Sequence, residues 1–398
     1  MCSATSKDIL PEPPGELKHL SEELGKHIRE RIHQNGPIPF SEYMEMALYQ
    51  PGFGYYSAGL QKFGEGGDFV TAPQLGNVFA RCLAKQVGQV AVTLDRYEII
   101  EAGAGTGILA ADLLTALQDE NPPARYRILE RSAHLREVQK ETLEKHVPGW
   151  MDRVSWLDEP PAETWQGVFL ANEVLDALTV ERFRIEEDGP KQMLVTTGSA
   201  GFGWTTGPCP EDMQKKLQAI LAGLDHHPGP AYCSEINTLL PAWLQTVTTT
   251  MQKGLALFID YGYTRRDYYQ PERRDGTLIC HYRHRAHNNP FKWPGLTDIS
   301  ASVDFTAVAE AADACGLEVN GYTTQAMFLM GSGLDEVLAD FTLLPDRDRL
   351  KMNNEVLRLT LPGEMGERFQ VMALSRGLEE DLGEDLIGFS LTDLCHRL

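Results

Sequence analysis

The stretch Glu101-Ala-Gly-Ala-Gly-Thr-Gly107 decides the fold, because it joins a predicted strand over 97–103 (YEIIEAG) to a predicted helix over 108–118 (ILAADLLTALQ). A glycine-rich turn between a strand and a helix is typical of a doubly wound α/β sheet, where ligands bind beyond the carboxyl ends of the strands. Glycines there let the backbone approach a ligand closely, where a Cβ would clash. The stretch therefore predicts both a fold class and a binding site.

The spacing of these glycines separates two kinds of ligand. A dinucleotide fingerprint, GxGxxG/A, requires Gly or Ala at position 108, where this chain has Ile108. The pattern ExGxGxG is instead the first motif of Rossmann-like methyltransferases, and its leading carboxylate suits the ammonium group of S-adenosylmethionine (SAM). We therefore expect Glu101, Gly103, Gly105 and Gly107 to bind SAM. A tight turn that binds no ligand is the alternative.

Strands and helices alternate outward from this turn, which predicts a parallel sheet with helices on both faces. The fold class is thus α/β, with a Rossmann-like class I methyltransferase core. Leucines, a valine and a methionine recur at helical spacing over 238–253, so we expect a helix there that ends at Gly254. The predicted strands are, in chain order, 97–103, 126–130, 153–158, 167–172, 255–262, 317–324 and 369–375.

The chain is predicted to divide into a tail, a helical extension and the core. Residues 1–16 form the flexible tail, and 17–95 form an N-terminal extension of helices and a lid. The core covers 96–398, with residues 178–235 inserted between its fourth and fifth strands and carrying a hairpin. Within the extension, the glycine-rich segment 59–73 is expected to close over the SAM site as a lid.

Acidic residues follow three of the predicted strands. Glu130 ends the second strand, where a carboxylate can accept hydrogen bonds from both ribose hydroxyls. Asp158 ends the third strand, where it could accept from the adenine amino group or simply lie in a surface loop. Asn172, Glu173 and Asp176 follow the fourth strand, where the methyl acceptor usually meets SAM, and we expect them to be catalytic, with Asn172 also binding SAM. Paired carboxylates can hold a guanidinium group for in-line attack on the methyl, although a helix N-terminus would also favour acids here.

Composition excludes several functions. With 36 Lys and Arg against 57 Asp and Glu, the net charge is −21, so nucleic acid and membrane surfaces are poor partners. The segment 282–287, with Arg283 and Arg285, is the best candidate for a local basic patch, although a solvated loop is the simpler interpretation. Three histidines at 281, 284 and 287 and the dispersed cysteines do not match metal-site spacing, so no metal is expected. The sequence does not predict an oligomeric state.

The N-terminal segment decides the predicted compartment. No stretch reaches 18 apolar residues, so no membrane insertion is expected. Residues 1–20 lack an apolar signal core and are too acidic and proline-rich for a transit peptide. The seven cysteines are odd in number and far apart, which is typical of reduced thiols. We therefore expect a cytoplasmic protein.

Eight runs of the sequence resemble the MidA-type methyltransferases. Among the most specific are GDFVTAP over 67–73 and NEVLDAL over 172–178. The family includes a mitochondrial complex I assembly factor that methylates an arginine. The resemblance implies that Gly67, Asp68 and Thr71 lie near SAM, that the product is S-adenosylhomocysteine, and that a protein is the partner, for example a respiratory-complex-like subunit. The matching runs are 38–44, 49–56, 67–73, 101–107, 171–177, 259–262, 303–305 and 364–366.

The chain departs from the usual sequence of the family at two places. The chain has Glu-Ala-Gly-Ala-Gly from 101 where the family often has Glu-Leu-Gly-Pro-Gly, and its run 298–304 lacks the Thr and His common in the family.

The leading candidate function is a protein methyltransferase, with arginine as the favoured acceptor. A small-molecule methyltransferase and a SAM-binding assembly factor with little turnover are the alternatives, and an NAD-dependent dehydrogenase is disfavoured by Ile108.

Overall fold

A computed structural model describes residues 10–59, 71–339, 345–378 and 386–398. Its helices are α1 Gly15–Asn35, α2 Phe40–Tyr49, α3 Ala72–Leu75, α4 Val78–Ala91, α5 Ile108–Leu117, α6 Ala133–His146, α7 Glu211–Ala222, α8 Leu240–Thr248, α9 Arg265–Tyr268, α10 Phe305–Ala314, α11 Gln325–Gly331, α12 Leu334–Ala339, α13 Asp346–Thr360 and α14 Met365–Arg368. Its strands are β1 Ile38–Pro39, β2 Glu98–Ala102, β3 Arg125–Leu129, β4 Val154–Leu157, β5 Trp165–Asn172, β6 Glu181–Glu186, β7 Gly189–Gly198, β8 Gly201–Pro208, β9 Cys233–Ile236, β10 Met251–Tyr263, β11 Ile279–Tyr282, β12 Arg285–His287, β13 Asp298–Ser300, β14 Val303–Asp304, β15 Glu318–Thr324 and β16 Phe369–Arg376.

The central sheet has the strand order β15-β16-β10-β5-β2-β3-β4, and β14 adds to β10. Strands β4, β3, β2, β5 and β10 run parallel, whereas β16 runs antiparallel to both of its neighbours. Chain order reverses at β2, since β3 and β4 lie on one side and β5 and β10 on the other. Ligands bind at such a switch point in doubly wound sheets. The expected α/β Rossmann-like core is confirmed.

Both faces of the central sheet are covered, as the nearly continuous apolar strands require. Side chains alternate along β10: Leu257 packs with α4 and α5 on one face, and Phe258 packs with α8 and α10 on the other. Strand β5 does the same with Leu170 and Phe169. Two buried layers therefore fix the strands, and the loops at their carboxyl ends are free to form a site.

The helix expected over 238–253 is shorter, and Gly254 does not end it. It covers Leu240–Thr248, and β10 begins at Met251. The residues from 246 to 250 are Thr-Val-Thr-Thr-Thr, and three of these threonines bond their hydroxyls to the carbonyls four residues earlier. β-Branched residues favour strands. Gly254 instead lies inside β10 opposite Gly167, where an added Cβ would come within 2.1 Å of the Gly167 carbonyl oxygen.

The N-terminal helices pack on two small antiparallel sheets. One sheet has the order β1-β7-β6-β9 with β8 beside β7, and it contains the expected hairpin as β6 and β7. The other has the order β12-β11-β13. A buried cluster that includes Phe40, Tyr43 and Val195 joins α1 and α2 to both sheets. Helix α1 begins at Gly15, within the expected tail, and the proposed domain boundaries at 16, 95, 178 and 235 stay predictions.

Candidate active site

A cavity of about 1340 Å³ opens at the carboxyl ends of β2, β3, β4 and β5. The glycine turn after β2 forms one part of its wall, and residues of α2, α8 and β13 are among those that form the other parts. The cavity therefore joins the core to both the N-terminal extension and the small sheets. Of the residues expected to bind SAM, the cavity is lined by Thr71, Glu101, Gly103, Gly105, Glu130, Asp158 and Asn172.

The turn after β2 depends on its glycines. Gly103, Gly105 and Gly107 have φ values of 62°, 53° and 81°, in the left-handed region that side chains avoid. A Cβ on Gly103 would lie 3.1 Å from the Val174 Cγ2, and one on Gly107 would lie 3.1 Å from the Gln139 Cα. The Gly103 N–H donates to the Leu129 carbonyl at 3.0 Å, which ties the turn to β3.

Two carboxylates sit below this turn. Glu101 is 2 % exposed and accepts a 2.7 Å hydrogen bond from the Tyr126 hydroxyl, and burial raises the pKa of Glu101 to about 7. Glu130 accepts from the Ser132 N–H at 2.8 Å and from the Gln139 amide at 3.0 Å. Burial raises the pKa of Glu130, and these hydrogen bonds oppose the shift. Both groups thus gain from a ligand that brings positive charge or hydroxyl donors.

The other expected SAM contacts are less uniform. Asp158 is exposed over 88 % of its side chain and forms a 2.7 Å ion pair with Arg136. Thr71 caps α3 in a capping box with Gln74 and lines the cavity. Gly67 and Asp68 lie outside the described residues, as does most of the expected lid.

The chain turns sharply after β5, and a buried carboxylate holds this turn. Asp260 on β10 is fully buried, and one of its oxygens accepts from three successive N–H groups, those of Val174, Leu175 and Asp176, at 3.1, 2.8 and 3.2 Å. Glu173 occupies the left-handed region at φ 54°, which costs about 1–3 kcal/mol for a residue other than glycine. Sequence reasoning missed Asp260, although an acid inside the apolar run LALFIDYG was a signal.

The turn places the two expected catalytic acids, Glu173 and Asp176, in one cavity wall. Burial first, and then the Asp176 charge, raise the pKa of Glu173 to about 8, while hydrogen bonds from Asn172 and the Ala72 backbone oppose this. Burial and the charges of Asp260 and Asp298 raise the pKa of Asp176 well above its ordinary value. The turn continues through residue 178 without starting a helix, so the alternative of acids at a helix N-terminus does not apply.

Asp298 on β13 is a third acid in this wall, and sequence reasoning missed it. The Ser300 hydroxyl donates to Asp298 at 3.2 Å and also hydrogen-bonds Asp176. A hydroxyl has one proton to donate, so it satisfies two carboxyl groups when one of them is protonated. The Tyr56 hydroxyl donates to Asp298 at 3.1 Å. No local motif marks Asp298, since only the folded sheet brings β13 to this cavity.

Aromatic rings complete the part of the cavity around these acids. Tyr49 and Tyr56 stack with their centroids 5.5 Å apart, and the Tyr49 hydroxyl donates to the Ala177 carbonyl at 2.8 Å. Trp243 on α8 and Tyr261 on β10 also line the cavity. We name this part, defined by Glu173, Asp176, Asp298 and the rings of Tyr49 and Tyr56, the acceptor chamber. Its acids and aromatic faces both favour a cation.

The described residues offer neither a metal site nor a membrane span. No group of His, Cys, Asp or Glu within the described ranges could hold a metal ion. None of the helices described is both long and apolar enough to cross a membrane. The described cysteines are free thiols.

Comparison with known proteins identifies the cofactor. Residues 78–323 match the sequence family of S-adenosyl-L-methionine-dependent methyltransferases. The chain belongs to this family. A Burkholderia thailandensis protein solved with bound S-adenosyl-homocysteine is 41 % identical, superimposes with a TM-score of 0.90, and is matched over 98 % of this chain and all of that one. A native structure from the same organism is 40 % identical, with a TM-score of 0.88 and the same coverage.

The methyltransferase also resembles curated eukaryotic proteins. The rat mitochondrial protein arginine methyltransferase NDUFAF7 is 27 % identical over 91 % of this chain and 86 % of its own length. The human protein of that name is 26 % identical, over 88 % and 82 %. The expected MidA-type membership, SAM as cofactor and S-adenosylhomocysteine as product are confirmed. The cytoplasmic expectation is wrong, because these relatives are named as mitochondrial, and the composition of residues 1–20 does not determine the compartment.

Proposed function

We propose that this methyltransferase methylates an arginine side chain of a protein. The observation that carries the proposal is the acceptor chamber, which gathers three buried or half-buried acids, Glu173, Asp176 and Asp298, beside the glycine turn, and the pKa values of the first two are raised. Acids that are difficult to ionise without a partner gain most from a bound cation. The arginine methyltransferase activity in the names of the NDUFAF7 relatives supports the same acceptor.

In this proposal the cofactor lies over the glycine turn. Glu101 receives the methionine ammonium of SAM, since it is buried directly behind the turn. Glu130 accepts from the ribose hydroxyls, with its carboxylate already aligned by Ser132 and Gln139. Asp158 reaches the adenine amino group from the open edge, where Arg136 holds it. The resemblance implies that Gly67, Asp68 and Thr71 also lie near the cofactor.

The acceptor chamber then prepares the guanidinium group. A guanidinium pKa is too high for a side chain to remove a proton beforehand. Glu173 and Asp176 instead hold two nitrogens by charge-assisted hydrogen bonds and concentrate the positive charge there. The third nitrogen attacks the methyl carbon in line, the carbon–sulfur bond breaks, and its electrons stay on sulfur. The proton lost by the methylated nitrogen passes to Glu173, and Asn172 orients that carboxylate through its 3.3 Å hydrogen bond.

A small-molecule acceptor is the second candidate, and one observation favours it. Helix α8 contributes an apolar part of the wall through Trp243 and Val247. A concave pocket with an apolar wall and a few polar groups is typical of small-ligand sites. The two candidates differ in whether the acceptor carries a peptide backbone.

Methyl transfer to matched peptides separates these candidates. Tritiated SAM is supplied with peptides that differ only in one central residue, which is arginine, lysine or the neutral isostere citrulline. We expect label on the arginine peptide alone, because citrulline lacks the charge and lysine lacks the paired nitrogens. A parallel labelling of cell lysate should place the label in protein. Label confined to small molecules, or equal labelling of arginine and citrulline, would reject the arginine proposal.

A further inference from the structure

A basic hairpin stands out in this acidic chain. Between Asp275 and Asp298, the sequence 276–297 contains no Asp or Glu, although the chain as a whole has a net charge of −21. The same segment contains Arg283, Arg285 and Lys292 together with three histidines. We name residues 281–292 the basic hairpin. Its charge is opposite to that of the whole molecule, and the methyl-transfer chemistry does not use it.

The turn of this hairpin contains residues that disfavour its backbone conformation. Strands β11 and β12 close on the pair Tyr282 and Arg285, which leaves Arg283 and His284 as a two-residue loop with φ values of 48° and 59°. Such loops need positive φ at both positions and therefore favour Asn-Gly or Gly-Gly. Bulky side chains in this conformation cost about 1–3 kcal/mol each. The presence of Arg283 and His284 in a backbone conformation that disfavours them points to a role for the side chains themselves.

The hairpin is anchored at the rim of the acceptor chamber. Strand β11 pairs with β13, so that His281 stands opposite Asp298, which lies in the chamber. His281 and Asn288 both line the cavity, while the side chains of Arg283, His284 and Arg285 are exposed. The Tyr282 and Trp293 rings pack with centroids 4.9 Å apart, and the Tyr43 hydroxyl donates to the Pro290 carbonyl at 2.8 Å. One small sheet thus carries both an acid at the chamber and cations at its entrance.

The hairpin also creates a positive local environment. Burial first, and then the neighbouring His281 and Lys292, lower the pKa of His287 to about 4. A protein with a large negative net charge repels acidic partners at long range, and a basic patch beside the site reverses this effect locally. The buried acids behind the patch oppose a polyanion such as RNA, whose phosphates would reach into the chamber.

We propose that the basic hairpin docks acidic side chains that flank the methyl-accepting arginine in the protein substrate. The inference rests on the proposed arginine methylation and names its substrate class: a segment with one arginine for the chamber and Asp or Glu a few residues away. The flanking acids bind at the rim while the arginine enters between Glu173 and Asp298. Binding of the flanks sets affinity and association rate, and the chamber sets turnover.

Binding and turnover of charge-varied peptides test this inference separately. Three fluorescent peptides share a central arginine and carry Glu, Ser or Lys on both sides. They are titrated against the wild type, the double variant Arg283→Glu/Arg285→Glu, and a control, Arg347→Glu/Arg349→Glu, which makes the same charge change on exposed positions of α13. All titrations contain S-adenosylhomocysteine, so that binding is measured without turnover. Methylation rates with SAM are measured in parallel.

We expect the wild type and the control to bind the Glu-flanked peptide at least about tenfold more tightly than the Lys-flanked one at low salt, and the preference to shrink with salt. The hairpin variant should lose or reverse this preference, with its saturating rate and cofactor affinity unchanged. Equal binding of all three peptides by the wild type, equal loss in both variants, or tighter binding of an RNA oligomer through the same arginines would overturn the docking proposal. Binding preference without arginine methylation would instead reject the proposed function.

Discussion

The SAM-binding turn, our name for the glycine turn over 101–107 that we propose binds SAM, adjoins the acceptor chamber, but the two are built in opposite ways. The turn is one contiguous segment, 101–107. Its function depends on glycines, whose lack of a side chain lets a ligand approach the backbone closely. The chamber is assembled from the turn after β5, from α2 and the loop after it, and from β13. In our proposal the cofactor is thus bound mainly by a local stretch of sequence, whereas the acceptor is bound by residues that the tertiary structure brings together.

The two regions also differ in electrostatics. Around the SAM-binding turn, each carboxylate already has hydrogen-bond donors, as Glu130 does with Ser132 and Gln139. In the chamber, besides burial, the charges of Asp176 and Asp298 raise the pKa of Glu173, the charge of Asp298 raises the pKa of Asp176, and Asp176 and Asp298 share the Ser300 hydroxyl. Like charges buried together destabilise the folded state until a cation binds. The buried acids of the chamber therefore lower the stability of the protein without acceptor and favour binding of a cationic acceptor.

The largest expected effect is on the cofactor side, from Gly103→Val. The φ of 62° and the 3.1 Å approach to Val174 leave no room for a branched side chain. We expect SAM affinity to fall by at least about 100-fold, roughly 3 kcal/mol, by calorimetry. Gly363→Val is the control, because Gly363 has a similar φ of 83° and open space around it. If both variants bind SAM equally, the turn does not hold the cofactor.

Asp260→Asn should affect the acceptor side more than the cofactor side. The amide offers one oxygen where the carboxylate accepts from four N–H groups, so the turn that carries Glu173 and Asp176 should loosen. We expect kcat/KM for the acceptor to fall by about 10–100-fold, about 1.4–3 kcal/mol, with SAM affinity within a few-fold of wild type. Asp304→Asn, which removes a comparable carboxylate from the N-cap of α10, should lower the melting temperature without changing acceptor kinetics. Matching kinetic losses in both variants would show that Asp260 is only structural.

Glu130→Ala tests whether this residue holds the ribose on the cofactor side. Loss of hydrogen bonds to a charged group should weaken SAM by about 1.5–3 kcal/mol. Glu130→Gln should weaken it less, because the amide still accepts one hydrogen bond and fits the same space. Isothermal titration of the three proteins with SAM decides this, and wild-type affinity in both variants would exclude Glu130 as the ribose ligand.

The last expected effect is a pH dependence of stability. The pKa of Glu173 is about 8 in the folded protein against 4.5 ordinarily, so between these values the native state binds more protons than the unfolded state. The free energy of unfolding should therefore fall as pH rises from 5 to 8. Glu173→Gln cannot titrate, and its melting temperature should fall less over this range. A steeper fall in the variant than in the wild type would contradict the raised pKa.

Sequence reasoning found the cavity residues that directly follow a strand and missed those that the tertiary structure brings in. The glycine turn, Glu130 and the acids after β5 could be predicted because each directly follows a readable strand. The end of α8 was predicted too late, because apolar residues keep helical spacing beyond the end of the helix. The threonines in between belong to the approach to β10. Asp260 and Asp298 were missed for different reasons. The first lies inside an apolar strand, and the second enters the chamber only through the pairing of β13 with β11.

The most direct test of the division between the two regions is the rate of methyl transfer by Glu173→Gln. SAM and an arginine peptide are both supplied at saturating concentration. The substitution keeps the shape of the side chain and removes its charge, and the SAM-binding turn does not depend on Glu173. We predict a loss of at least about 100-fold in rate, about 3 kcal/mol, with S-adenosylhomocysteine affinity within about twofold of wild type. An unimpaired rate in a folded Glu173→Gln protein would contradict the carboxylate mechanism.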